Sequence, residues 1–318
     1  MSSHAHRFLG RHVGGYSEFS FELTKLKAKD NELIVAVYDP SELGGQPFGK
    51  QRAKSIAQPG THGEKYTPTS GIWQTVWLEP VPTNFVSALH LDANMTHLSV
   101  EAKVDLLSAS PRASAEVIFV VESAPGKVVA SAKAPLLADT AMATLRVPQP
   151  QLWTPASPFL YNISVHFEAA GAVDTVRSYF GMRQVSLGST KDGRKSLFLN
   201  GKAFFASGWL DQSWWPDGQY TAPTDAALAF DIEATKTFGM NMIRLHQKIN
   251  PQRWYYHADR VGVLVFQDAV QHFRYPGGED TNTTLFVQDW SAAILGRKNH
   301  PCIVQWDIFN EFEFQPSE

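Results

Sequence analysis

Between residues 14 and 187 apolar and polar side chains alternate in short runs. "ELIVAVYD" (32–39), "GIWQTVWLEPV" (71–81), "HLSVEAKVDLL" (97–107), "AEVIFVVES" (115–123), "ATLRVP" (143–148) and "LYNISVHFEA" (160–169) are each bounded by Gly, Pro, Asn or Asp. A period of two sends successive side chains to opposite faces of a strand, and turn residues at this spacing predict antiparallel β-sandwiches. The two prolines of "LEPVPTNF" (78–85) divide the strands into two sets. The second set has some seven candidates, enough for one immunoglobulin-like sandwich. The first offers three or four around a long Gly/Pro/Lys loop, which predicts an incomplete sandwich with unpaired edges.

From residue 195 the period changes. "AFFASGW" (203–209), "MNMIRL" (240–245), "VLVFQD" (263–268) and "CIVQWDIFN" (302–310) read as strands, separated by helical stretches at 223–239, 250–262 and 283–300. The first helix is expected to bury Ala227, Phe230, Ala234 and Phe238 behind a Thr224 cap. The second opens at Asn250-Pro251 and ends at Gly262. Repeats of strand and helix, each near thirty residues, predict a parallel sheet with crossover helices. The economical closed form is a (β/α)8 TIM barrel, of which four strands make the N-terminal half.

Composition narrows the function classes. With 43% hydrophobic and 19% charged residues, the 318-residue chain is ordinary for a globular protein and too apolar for a disordered one. A net charge of −3 provides no basic footprint for nucleic acid. No run is long enough to span a membrane, and the one cysteine, Cys302 in "PCIVQW", excludes a disulfide framework. The N-terminus has no leader pattern, which predicts a cytoplasmic chain if Met1 is the genuine start. His4, His6 and His12 sit in a terminus that offers no fixed geometry for a metal, and the chain has no HExxH, CxxC, P-loop or dinucleotide fingerprint, so neither metal nor cofactor is expected.

The active sites of such barrels lie at the C-terminal ends of the strands. Here those ends carry Trp209, Asp211, Trp214, Trp215, Arg244, His246, Gln247, Asp268, Asn310, Glu311 and Glu313. Aromatic faces with carboxylates and amides suit a carbohydrate, whose C–H faces stack and whose hydroxyls pair. Glycoside hydrolysis then needs a carboxylic acid for the leaving oxygen and a second carboxylate as nucleophile or base.

"NHPCIVQWDIFNE" (299–311) resembles the acid/base signature of glycoside hydrolase family 2, the β-galactosidase, β-glucuronidase and β-mannosidase family, through His300, Pro301, Trp306, Asn310 and Glu311. "NMIRLHQKINPQRWYYHADRVGVLVFQD" resembles the family's preceding segment, with Arg244, Asp259, Gly262 and Asp268 in register. "TPTSGIWQTVWLEPV" is similar to the close of its sugar-binding jelly roll, and "LWTPASPFLYNISVHF" to the end of its immunoglobulin-like domain. The resemblance implies a partial jelly roll (1–83), an immunoglobulin-like β-sandwich (84–187) and the first half of a TIM barrel (188–318). It implies retaining hydrolysis of a β-linked O-glycoside, with Glu311 as general acid/base and Asn310 on the sugar 2-hydroxyl. The nucleophile, a second Glu late in the family's barrel, is expected beyond Glu318, so the chain reads as truncated at both ends and inactive by itself.

Arg244, Asp268, Asp211, Trp209 and His246 complete the expected sugar site. Arg244 and Asp268 read equally as an ion pair of the scaffold, and Trp209 equally as packing. Where the family has Arg-x-Ser-His, this chain has "RLHQ", so His246 stands for Ser and Gln247 for His. Two readings stand beside the hydrolase: a non-catalytic carbohydrate-binding protein and an inactive product.

Overall fold

The computed structural model describes residues 7–24, 26–51, 65–108, 115–169, 172–272 and 280–310. Period-two alternation in its middle third produces two antiparallel sheets. Strands β1 (Asn84–Asn94), β2 (Ser99–Ser108) and β5 (Thr140–Arg146) pair in the order β1-β2-β5. Strands β3 (Glu116–Ala124), β4 (Lys127–Pro135), β8 (Tyr161–Ala169) and β9 (Ala172–Phe180) pair as β4-β3-β8-β9. Between β5 and β8 lies a two-residue ladder of β6 (Trp153–Thr154) and β7 (Ser157–Pro158). The inward members Val100, Ala102 and Val104 of β2, Val117, Phe119 and Val121 of β3, and Ile163, Val165 and Phe167 of β8 are buried in one core. Burying each of the Val, Ile and Phe side chains contributes roughly 1.5–3 kcal/mol.

A small antiparallel sheet follows, of β10 (Val185–Ser189), β11 (Lys195–Leu199) and β12 (Lys202–Phe204). The single strand expected at 203–209 is broken: β12 ends at Phe204, and β13 (Gly208–Asp211) begins a different sheet. Gly208 makes this entry possible, because a Cβ there would lie 1.8 Å from the Met242 carbonyl oxygen.

The last sheet is parallel, in the order β13-β14-β15-β16, with β14 (Met242–Leu245), β15 (Leu264–Asp268) and β16 (Ile303–Asp307). Helices α1 (Asp225–Thr237), α2 (Gln252–Val261) and α3 (Thr283–Arg297) connect successive strands. Thr224 caps α1 by accepting from the Ala227 N–H, Gly262 closes α2 in the left-handed region at φ 81°, and Asn282 caps α3 through the Leu285 N–H. Helix α1 forms where expected but buries another face. Leu228, Ala229, Ile232 and Thr235 point inward, whereas Phe230 is 67% and Phe238 70% exposed. Both sets fit a 3.6 period; the compact aliphatic set fits against β14 and α2.

The N-terminal expectation needs correction. Among the described residues before 84, regular structure is limited to one 3-10 turn (Ser41–Leu43) and one isolated bridge between Gln51 and Tyr66. The stretches 32–39 and 71–81 are not strands, and Ile34, Tyr38, Val76, Trp77 and Leu78 are exposed. Alternation prepares a strand, but the ladder exists only where a neighbouring strand supplies partners. This segment instead lies against the parallel unit. Phe48 and Gly49 donate to the Gln271 carbonyl, Asn282 donates to the Gly45 carbonyl, and Thr221 Oγ1 donates to the Trp73 carbonyl.

Candidate functional site

In the parallel sheet, strand alternation decides which side chains share a face. Ile243 and Leu245 of β14 are fully buried in the core that includes Trp254 and Tyr255 of α2, so Arg244 between them faces the opposite side. Register carries that face across the sheet: Arg244 is opposite Phe266, Phe266 opposite Gln305, and Asp268 opposite Asp307. The open face therefore ends in Arg244, Asp268 and Asp307, with His246 and Asn310 in the turns beyond.

These five side chains form a connected network. The Asp268 carboxylate is 2% exposed and takes Arg244 on both oxygens, with Nε at 3.1 Å and a terminal nitrogen at 2.9 Å. His246 Nδ1 also bonds the Asp268 carboxylate. The same terminal nitrogen of Arg244 donates to Asn310 Oδ1 at 2.9 Å. The buried carboxylate orients the guanidinium, and the guanidinium orients the amide.

Asp307 was not among the residues singled out from sequence, although it lies inside the quoted signature. Its Oδ1 accepts from Gln305 Nε2 at 2.7 Å, and its Oδ2 lies 4.0 Å from Arg244 Nε. Burial and the neighbouring Asp268 carboxyl push its own carboxyl up, against the opposing pull of Gln305 and Arg244. What could have revealed it is its place in the strand: it shares the parity of Gln305, opposite to Trp306, which packs edge-on against Trp290 of α3.

Two sequence-chosen residues lie elsewhere. Trp209 pairs with Ile243 on the helix side, where its ring meets Phe238 edge-on at 5.5 Å, so of its two readings the structure places it in packing. Asp211 is opposite Leu245 and accepts the Ser213 N–H at 2.6 Å. Burial and the charge of Asp231 in α1 push the Asp211 carboxyl up to about 6. It closes β13 and holds the turn that follows, outside the Arg244 network.

Behind that turn sits a buried cation that sequence reasoning overlooked. Lys248 is 1% exposed and donates to the carbonyls of Ser213 at 2.8 Å and Tyr220 at 2.5 Å. Its ammonium lies over the rings of Tyr220, Trp215 and Trp73 at 4.2, 4.7 and 5.2 Å. Burial lowers its pKa to about 7 against the pull of Asp211. Lys248 thus staples the first strand-end turn to the second. Trp214 stacks on Tyr66 at 4.5 Å, and Gln247 donates to Gln271 at 2.7 Å. Glu311 and Glu313 lie outside the described residues, as do His4 and His6; His12 stacks on Phe19 and bonds Ser17.

Fold and strand-end network together define a β-rich multidomain protein with a polar, arginine-centred cluster on its parallel unit. A family model described as Glycosyl hydrolases family 2 matches residues 84–183. A putative β-glucuronidase of Formosa agariphila is 25% identical over 317 residues, covering 95% of this chain and 28% of that protein. A β-galactosidase of Thermoanaerobacter pseudethanolicus is 24% identical over 311 residues, covering 95% of this chain and 39% of its own length. Among solved structures, a β-glycosidase from Bacteroides vulgatus aligns with a TM-score of 0.66 at 22% identity, over 80% of this chain and 33% of that one. The likeness to glycoside hydrolase family 2 rests on residues 84–183 and on relatives about a quarter identical across nearly the whole chain. The chain spans between 28% and 39% of the length of the two curated relatives named here.

Proposed function

We propose that the protein represented by this chain hydrolyses β-linked O-glycosides with retention, using Glu311 as general acid/base paired with a glutamate nucleophile. In this reading residues 1–83 correspond to part of the family's sugar-binding jelly roll, 84–187 to its immunoglobulin-like sandwich and 188–318 to the first half of its TIM barrel. The observation that carries the reading is the bond from Arg244 to Asn310 Oδ1. With the amide oxygen taken by a cation, the amide nitrogen is the group left to donate to a sugar hydroxyl. Asn310 immediately precedes Glu311, so the same turn that orients the amide delivers the acid. Asp268 and His246 act behind Arg244, as positioning residues.

Retention places two carboxyls about 5–5.5 Å apart, one protonating the leaving oxygen while the other attacks the anomeric carbon. The acid needs a raised pKa, and a neighbouring carboxylate with partial burial supplies one. The test is hydrolysis of aryl β-galactoside, β-glucuronide, β-mannoside and β-glucoside, by the protein and by its Glu311→Gln variant. Turnover of one glycoside, reduced at least about 100-fold by the substitution, is the expected result. Sugar binding without turnover, unmoved by Glu311→Gln and by Asn310→Ala, would overturn the reading in favour of a non-catalytic carbohydrate-binding protein.

A further inference from the structure

The loop between β13 and α1, residues 212–221, lies at the C-terminal ends of the parallel strands and has little structure of its own. Its regular part is one bridge between Trp215 and Gln219. Ser213 and Gln219 sit at φ 51° and 53°, in the left-handed region that non-glycine residues rarely adopt. A backbone kept there needs support from its surroundings. Two sources supply it. Lys248, in the turn after β14, donates to the carbonyl of Ser213 and to that of Tyr220, the neighbour of Gln219. The N-terminal segment supplies the rest. Tyr66 stacks on Trp214, Tyr16 Oη accepts from Tyr220 Oη, and the Trp73 carbonyl accepts from Thr221 Oγ1.

The two supports meet at the ammonium of Lys248. Tyr220 and Trp215 of the loop form two walls of its cage, and Trp73 of the N-terminal segment forms a third, 5.2 Å from the nitrogen. Trp73 also packs on Tyr220, with ring centroids 4.7 Å apart. An ammonium shielded from water holds its carbonyl acceptors and its rings more strongly than a hydrated one. Lifting Trp73 admits water, which then competes with the Ser213 and Tyr220 carbonyls for the ammonium. The loop loses its hold on Lys248 at the positions where its backbone most needs one.

We propose that Lys248 and Trp73 form a latch, through which docking of the N-terminal segment orders the 212–221 loop at the strand ends. The device is conformational, and it does not depend on which sugar or reaction the strand ends serve. Asp211, which closes β13 and accepts the Ser213 N–H, is set in place by the same docking.

Two readouts on the whole chain test the latch. One is acylation of lysines by N-acetoxysuccinimide at mildly alkaline pH, quantified by peptide mass spectrometry. The other is hydrogen exchange at the Trp215, Gln219 and Thr221 amides, which are bonded within the loop. In the wild type Lys248 should react at least about tenfold more slowly than the exposed Lys191, because the cage excludes the reagent. Trp73→Ala changes one half-buried side chain outside the sheets. It should speed Lys248 acylation and loop exchange by about tenfold each, the scale of one desolvated cation–π contact. Lys248→Met should speed loop exchange similarly, and adding Trp73→Ala to it should change that rate by less than about twofold. Loop exchange or Lys248 acylation that Trp73→Ala leaves unchanged overturns the proposal. So does a wild-type Lys248 as reactive as Lys191, or independent action of the two substitutions. If Lys248→Met does not fold, the Trp73→Ala chain decides by itself, since both of its readouts must move.

Discussion

At the scale of single residues, the open question about the N-terminal segment is what holds it to the parallel unit. Asp289 of α3 is central: it is 5% exposed, accepts the Gly15 N–H, and its Oδ1 has no partner among the described residues. Burial pushes its carboxyl up from 3.8 to about 6. Gly14, at φ 106°, is required beside it, since a Cβ there would lie 2.0 Å from Asp289 Oδ1. The sign of the pH effect follows. Below about 4 the group is protonated in both folded and unfolded chains and carries no penalty. Between about 4 and 6 the unfolded chain releases its proton first, so stability falls as pH rises, and above 6 the whole penalty remains. Asp289→Asn should therefore raise the urea midpoint at pH 7, by about 1–3 kcal/mol in stability, and change little near pH 4. Equal midpoints for the two chains at pH 7 would show that the buried carboxyl is compensated by something else.

At the scale of elements, what the sequence discloses depends on whether an element carries its own partners. Two helix ends were legible because caps are local: Thr224 and Gly262 each act within a few residues, as does Asn282, which the sequence reading did not single out. The sandwich strands were legible because consecutive runs pair with one another. The stretches 32–39 and 71–81 read as well as those strands, yet form none, because pairing is a property of two segments. The face of α1 was misread for a related reason: two sets of positions fit one period, and only the facing surface chooses between them. Ile232, fully buried, and Phe230, exposed on the opposite side, separate the two readings. Ile232→Ala should lower stability by about 2–4 kcal/mol, while Phe230→Glu should stay within about 0.5 kcal/mol. Thermal or urea unfolding of both variants checks this, and a large loss from Phe230→Glu would restore the original face. The candidate site shows the same limit. Strand ends pointed to Arg244, Asp268 and Asn310, but separating Asp307 from Trp209 and Asp211 required knowing which parity of each strand meets the helices.

At the scale of the whole molecule, the residues that carried the family resemblance turn out to join its parts. Asp259 of α2 is fully buried and has four partners. Its Oδ1 accepts the Cys302 N–H at 2.8 Å, and its Oδ2 accepts Tyr179 Oη at 2.8 Å and pairs with His300 Nδ1 at 2.6 Å. Its backbone carbonyl takes Trp153 Nε1 at 2.9 Å. Tyr179 belongs to the sandwich, whereas Cys302 and His300 lead into β16. Around this hub, Arg183 donates to the carbonyls of Pro301 and Ile303, and Asn299 bonds both the N–H of Leu91 and the carbonyl of Leu89 in β1. Pro301 fills the space above Gly181, where a Cβ would lie 2.8 Å from it. The His-Pro pair that opens the signature is thus a docking element between sandwich and strand β16, and the residues at the strand's far end inherit their placement from it. Removing the hub leaves several buried donors unpaired, which typically costs about 3–5 kcal/mol. Asp259→Ala should therefore lower stability by that amount and uncouple the two parts. In urea, tryptophan fluorescence, which includes Trp254 and Trp306 of the parallel unit, should lose its structure before the β-sheet circular dichroism of the sandwich. Coincident transitions in the variant, displaced by less than about 1 kcal/mol, would mean that the apolar contacts around Trp153 hold the parts together without Asp259.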